Sequence, residues 1–381
     1  MGSHEDFMRL AVNVAKKGIG RTSPNPAVGA VVVKDNRIVG KGYHKMAGLA
    51  HAEINALNDA GNRAKGADLY VTLEPCSHYG KTPPCTLAVI ERGIKRVFIG
   101  MKDPNPLVNG RGIRKLKGCG IEVKAGIFED ECRNINKPYM KYIKTGMPFV
   151  TLKLAASLDG RIATSAGESK WITADIARRY VHKIRSNADA VMVGIGTVLN
   201  DDPLLTVRVA GKREVRNNPI RIVVDSRLKT PLKARLLNVK EAKTIIATTK
   251  YADKKKIIQI EGKGAEVIVV DLKDRFIDLK KLMLKLGRLE IMNILIEGGS
   301  KLAASALKQG IIDNIKIFYA PILLGGDGIP LTASLGIKRL KDAVHFKDVR
   351  IKRIGEDMLI EGVPVYNSVS DQSFMRDECK S

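Results

Sequence analysis

Apolar positions Phe7, Leu10, Ala11 and Val14 recur at intervals of three and four, so residues 5–17 predict an amphipathic helix. A proline- and asparagine-rich loop follows, Thr22 to Pro26. The apolar run Val28 to Val33 predicts a buried strand. Asp35-Asn36 then supplies a turn into a second strand, Arg37 to Tyr43, which makes a hairpin. Further along, residues 51–60 read as a helix, Leu69 to Leu73 as a strand, residues 85–92 as a helix and Arg96 to Ile99 as a strand. Helices alternating with strands after the hairpin predict a mostly parallel sheet covered on both faces.

Lys144 to Pro148 has linker character, and the pattern restarts with a strand at Phe149 to Leu154. Strand cores recur at Ala190 to Val193, Arg221 to Val224, Thr244 to Ala247, Val267 to Val270 and Ile294 to Ile296. The segment 294–308 is the clearest strand–glycine turn–helix unit. The expected division is residues 1–146, residues 147–366 and a polar tail, 367–381, expected to fray.

At 381 residues and 41.7 kDa the chain suits two domains, with 44% hydrophobic residues to build their cores. No run approaches the roughly 18 apolar residues of a membrane span, and the N-terminus is polar, so a cytoplasmic protein is expected. The formal charge is +25, which raises the question of nucleic acid. Yet the basic residues are spread over both halves, and aromatics are only 5%, so no stacking platform accompanies the charge. A phosphorylated small molecule is the expected partner, with neither nucleic acid nor membrane. Five cysteines, an odd number, do not form a disulfide framework. Cys119, Cys132 and Cys379 are scattered; Cys76 and Cys85 are not.

His51-Ala52-Glu53, Pro75-Cys76 and Cys85 after Pro83-Pro84 form one constellation. An imidazole and two thiols suffice for a catalytic zinc that keeps a fourth position open. Thr82 as N-cap, with proline in the first turn, would set Cys85 at the positive end of a helix, where a thiolate is favoured. Two thiolates cancel the charge of the metal, so a separate proton carrier is useful, and Glu53 stands two residues from the imidazole. That is the division of labour in zinc deaminases. Their usual two-residue spacing between cysteines is here eight, Ser77 to Pro84. A structural zinc, with Cys132 or His78 as fourth ligand, is the bland alternative.

The stretch Thr72 to Cys85, with Pro24-Asn25-Pro26-Ala27-Val28-Gly29 upstream, resembles the bifunctional riboflavin-biosynthesis deaminase–reductase family, in which the long spacer is normal. The resemblance implies a cytidine-deaminase-like three-layer α/β/α domain. It implies zinc on His51, Cys76 and Cys85, Glu53 as proton shuttle, and a diaminopyrimidinone substrate carrying a phosphoribosylamino group. Asn25 is the expected ring contact, because an amide both donates and accepts. Lys81 and His44 are further expected substrate contacts.

In the second half, Ile294 to Ser300 and Val193 to Val198 are strand-to-glycine junctions without the G-x-G-x-x-G spacing of a Rossmann fingerprint. Lys153 to Ala163, Ser169 to Thr173, His182 with Arg185, and Asn200 to Arg208 resemble the reductase domain of the same family. The resemblance implies a dihydrofolate-reductase-like fold and NADPH. Lys153 and Glu297 would then move protons, and Arg185 and Arg208 would hold the substrate phosphate. Ser169, Leu205 and Glu297 would touch substrate. Ala155, Trp171, Thr197, Asp201, Ser226, Gly298 and Gly299 would line the cofactor. A homo-oligomer is expected. The competing reading is an RNA- or nucleotide-editing zinc deaminase with an accessory domain.

Overall fold

The computed structural model describes residues 2–80, 83–208, 218–274 and 276–366. Lys81, Thr82, the segment 209–217 and the tail 367–381 lie outside the described residues. The chain forms two compact units, Met1–Phe149 with Leu286–Met292, and Val150–Lys285 with the segment from Asn293 onward. Among the described residues no helix is long and apolar enough to cross a membrane.

The first unit opens with α1 (His4–Ala15), started by a capping box in which Ser3 and Asp6 satisfy each other's backbone N–H groups. β1 (Gly29–Lys34) and β2 (Arg37–Tyr43) form the expected hairpin. Then come α2 (Ala52–Ala60), β3 (Asp68–Leu73), α3 (Cys85–Glu91), β4 (Arg96–Met101), α4 (Arg111–Gly118) and β5 (Glu122–Ala125). The sheet order is β2-β1-β3-β4-β5. As expected the sheet is mostly parallel: β3–β4 and β4–β5 are parallel, and β1 alone runs against the others, antiparallel to its hairpin partner β2 and also to β3. The cause is the path of α2, which carries the chain from β2 past β1 to β3. Every residue of β1 from Gly29 to Val33 is buried, as is β3 from Leu69 to Leu73, so these strands are covered on both faces.

Two glycines set α2 against the sheet. A Cβ on Gly42 would stand 2.3 Å from the Ala56 nitrogen, and one on Gly40 2.4 Å from the Ala56 carbonyl oxygen. Helix and strand backbones therefore touch, which fixes the height of the first turn of α2 and of His51 and Glu53 with it.

The second unit is built on a nine-stranded sheet. Its strands are β6 (Phe149–Ser157), β7 (Ala190–Gly194), β8 (Ile220–Val224), β9 (Thr244–Thr248), β10 (Glu266–Val269), β11 (Asn293–Glu297), β12 (Asn314–Ala320), β13 (His345–Ile354) and β14 (Asp357–Val365). The order is β10-β9-β8-β7-β11-β6-β12-β14-β13. Pairing is parallel from β10 to β11 and between β6 and β12, whereas β14 is antiparallel to both β12 and β13. α7 (Asp175–Arg185, numbered after two short helices at 129–135 and 137–145) packs Ala177 and Val181 against Phe318 and Leu359. α8 (Ile195–Asp201) follows β7, and α9 (Ser300–Lys308) follows β11 through Gly298-Gly299.

Candidate functional sites

His51 is the N-cap of α2, extended at φ −70° and ψ 167°, so its side chain leaves the helix start while Glu53 sits in the first turn. Cys76 follows the end of β3. Cys85 is the first residue of α3, with Pro84 as N-cap, so the helix begins two residues later than a Thr82 cap would start it. His51 Nδ1 lies 3.2 Å from Cys85 Sγ and 3.7 Å from Cys76 Sγ, and the three donor atoms all fall within 4.8 Å of one another. Bonds of about 2.0 Å to nitrogen and 2.3 Å to sulfur at tetrahedral angles put N and S about 3.6 Å apart, so this donor set fits zinc. Among the described residues the group holds three donors, and neither His78 nor Cys132 belongs to it. Three protein donors match a catalytic zinc and not a closed structural one.

The two sulfurs differ. The Cys85 N–H donates to Cys76 Sγ at 3.3 Å. With the Cys85 thiol also donating and His51 alongside, the Cys76 pKa is pulled down to about 4. Cys85 moves the other way, because it keeps the shared proton and is buried beside Glu53. Without a cation the pair therefore holds one proton. Glu53 is buried, and burial together with the charge on Cys76 pushes its carboxyl up to about 7. It is placed to take and return a proton near neutrality.

His44 Nδ1 is 3.2 Å from the Ala50 carbonyl oxygen, which only accepts, so Nδ1 carries the hydrogen. Burial holds the His44 pKa below its usual value, so the ring is neutral and Nε2 accepts from Asn25 Nδ2 at 3.0 Å. The His44 ring meets that of His51 edge-on at 5.3 Å, which places Asn25 and His44 beside the metal donors. Sequence reasoning missed Glu74. Its buried carboxylate accepts N–H bonds from Gly110 at 2.9 Å, Ile113 at 3.2 Å and Asp103 at 3.3 Å. It ties the start of the Pro75-Cys76 segment to the loop entering α4. A carboxylate ending an otherwise apolar strand was the available signal.

In the second unit a cavity of about 770 Å³ opens at the carboxyl ends of β7, β8 and β11. Lys153, Glu297 and Arg185 stand on its wall, with Ser169 and Leu205. Ala155, Trp171, Thr197, Asp201, Ser226 and the Gly298-Gly299 turn line it as well. Arg208 does not line the cavity: it is exposed, and its backbone N–H donates to His182 Nδ1 at 3.2 Å.

Gly298 has φ +135°, and a Cβ there would stand 2.8 Å from Thr197 Oγ1. The turn thus brings bare backbone to the cavity wall, and α9 starts there with no side-chain cap on its N–H groups. Both features suit a phosphate-bearing dinucleotide. Arg185 is also bound within the unit. Its Nε and Nη2 donate to the Glu297 carboxylate at 2.9 and 3.1 Å, and its Nη1 to the Thr206 carbonyl at 2.6 Å. These bonds orient Glu297 and use three of the five guanidinium N–H groups, on a side chain that also lines the cavity. Burial lowers the Lys153 pKa, opposed by Glu297 and reinforced by Arg185. Burial and the cations Arg185 and Arg208 hold His182 down at about 4.

Comparison with known proteins covers both units. Residues 1–101 match the cytidine and deoxycytidylate deaminase zinc-binding region, and residues 148–360 match the RibD C-terminal domain. The riboflavin biosynthesis protein RibD of Aquifex aeolicus is 45% identical over 93% of this chain and 97% of its own length. That of Escherichia coli K12 is 41% identical over 93% of this chain and 98% of its own. Acinetobacter baumannii RibD superposes with a TM-score of 0.86 at 37% identity, covering 95% of this chain and 99% of that one. A Thermotoga maritima structure described as a diaminohydroxyphosphoribosylaminopyrimidine deaminase/5-amino-6-(5-phosphoribosylamino)uracil reductase gives 0.83 at 38% identity, over 95% and 99%. The reading as a nucleic-acid-editing deaminase is set aside, since its accessory domain is the RibD C-terminal domain. The chain belongs to the RibD family of riboflavin-biosynthesis proteins and joins a zinc-binding deaminase unit to a reductase unit.

Proposed function

We propose that residues 1–146 deaminate 2,5-diamino-6-(5-phosphoribosylamino)pyrimidin-4(3H)-one and that residues 147–366 reduce the ribosyl group of the product to ribityl with NADPH, in the cytoplasm and as a homo-oligomer. The observation that carries this reading is the convergence of His51, Cys76 and Cys85 beside buried Glu53, in one chain with the cavity around Lys153.

Zinc held by His51, Cys76 and Cys85 supplies Lewis-acid activation of water. Glu53 takes a proton from the attacking water and returns it to the departing amine, so water enters, ammonia leaves and a carbonyl replaces the amine. With its Nδ2 engaged by His44, Asn25 presents Oδ1 to the ring and accepts an N–H of the pyrimidine. Lys81 stays assigned to substrate on the resemblance alone.

NADPH supplies the hydride in the second unit. The Gly298-Gly299 turn and the start of α9 hold its phosphates, and Trp171, Thr197, Asp201, Ser226 and Ala155 line its course. Lys153 donates a proton to the sugar oxygen as the ring opens, and Glu297 holds the ammonium in place. Ser169 and Leu205 bound the sugar. Arg185 and Arg208 hold the phosphate, Arg185 through the N–H groups that Glu297 and Thr206 leave free.

Glu53→Gln tests the first half. It keeps stoichiometric zinc and NADPH oxidation, while ammonia release drops by roughly 10²–10⁴. Unchanged ammonia release would remove the deaminase assignment of Glu53. Lys153→Ala should do the converse, losing NADPH oxidation and sparing ammonia release.

A further inference from the structure

The last turn of α7 faces a short segment of backbone, residues 205–208, and grips it at two points. Arg185 Nη1 donates to the Thr206 carbonyl at 2.6 Å, and the Arg208 N–H donates to His182 Nδ1 at 3.2 Å. The gripped segment is not relaxed. Leu205, buried on the cavity wall, has φ +55°, a conformation that a branched side chain adopts only when its surroundings impose it. Arg185 is accounted for by Glu297. His182 has no part in the chemistry proposed above, although it lies in the same electrostatic cluster as Lys153, Arg185, Arg208 and Glu297.

A ring nitrogen that accepts a backbone N–H carries no hydrogen of its own, so the hydrogen of the neutral ring is on Nε2. One bond thus fixes the tautomer of His182 and the backbone of Arg208 together. We propose that His182 is a positioning residue for the phosphate arm of the reductase site: by accepting the Arg208 N–H it sets where the Arg208 guanidinium stands relative to the cavity. This rests on the assignment of Arg208 to the substrate phosphate. A lysine or arginine at position 182 has no acceptor for this N–H, and phenylalanine keeps the ring without the nitrogen. Asparagine places its amide oxygen near the Nδ1 position and preserves the acceptor.

The test uses the full-length, zinc-loaded protein and follows NADPH oxidation with the deaminated phosphoribosylamino substrate and with its dephosphorylated counterpart. His182→Phe should raise KM for the phosphorylated substrate about tenfold, the upper end of what one lost neutral hydrogen bond is worth, with kcat and the KM for NADPH nearly unchanged. Turnover of the dephosphorylated compound should match wild type, because it has no phosphate to place. His182→Asn should restore KM to within about threefold. If His182→Phe does not fold, His182→Ala is read in the same way. An unchanged KM overturns the proposal, and so does an equal loss on both substrates, which marks a merely structural histidine. Arg208→Gln separates the two layers of argument. A normal KM there overturns the phosphate assignment and this inference with it; a raised KM there, beside a normal KM in His182→Phe, overturns this inference alone.

Discussion

Arg185 and Glu297 meet through two N–H···O bonds, at 2.9 and 3.1 Å, between side chains only 10% and 12% exposed. Burial works against the Glu297 carboxylate, but Arg185 and then Lys153 outweigh it and hold the pKa below the ordinary value. Removing one member leaves the other charged and desolvated. Arg185→Ala should therefore cost about 3–5 kcal/mol of stability. It should also abolish NADPH oxidation, since Glu297 loses the fork that orients it. Denaturant unfolding alongside NADPH oxidation checks this, and a stable, active Arg185→Ala would refute the structural role assigned to the pair.

Gly298 offers a cleaner perturbation of the cofactor side. Its φ of +135° is open to glycine and strained for any other residue, and a Cβ would press on Thr197 Oγ1 at 2.8 Å. Gly298→Ala should raise the KM for NADPH at least about tenfold, in line with roughly 1–3 kcal/mol of backbone strain at the turn. Ammonia release by the first unit should not change. The measurement is a pair of titrations, NADPH against oxidation and pyrimidine against ammonia; an unaltered NADPH titration would mean that the turn does not carry the cofactor.

Much of this architecture was legible because it is buried. β1, β3, β7 and β11 are apolar runs, and they lie within a residue or two of where periodicity placed them. The metal donors were legible because imidazole and thiol side chains at element starts are scarce. β13 was not: almost all of its residues are exposed and basic ones alternate through it, so no burial pattern distinguishes it from a loop. The antiparallel pairing of β1 with β3 also escaped, since a buried strand reads alike whether its neighbours are parallel or antiparallel. The pairing of Arg185 with Glu297 was hidden because the two are 112 residues apart, and only folding brings them together.

The pH dependence of stability should carry the mark of His182. Its pKa is about 4 in the folded protein against 6.5 unperturbed. Between those values the unfolded chain holds the proton and the folded protein does not, so acid favours unfolding. The stabilisation is complete above about pH 6.5, declines as pH falls and is spent near pH 4. His182→Asn has no group to titrate there. The unfolding free energy of wild type minus that of this variant should therefore fall steadily from pH 6.5 to 4 and stay flat above pH 6.5. A wild type that gains on the variant as pH falls would contradict the half-buried, uncharged ring.

Metal removal should expose the asymmetry of the two sulfurs. In the metal-free pocket Cys76 is half-buried and receives the Cys85 N–H, and its pKa of about 4 makes it a thiolate at neutral pH. Cys85 is buried and keeps its proton. An alkylating reagent at pH 7 acts on the thiolate, so it should label Cys76 ahead of Cys85 once a chelator has removed zinc, with loss of ammonia release and retention of NADPH oxidation. Zinc added before the reagent makes both sulfurs metal ligands and should protect both. Peptide mapping by mass spectrometry reads the outcome. Labelling of Cys85 first, or labelling that zinc does not slow, would break the link drawn between this pair of thiols and the metal.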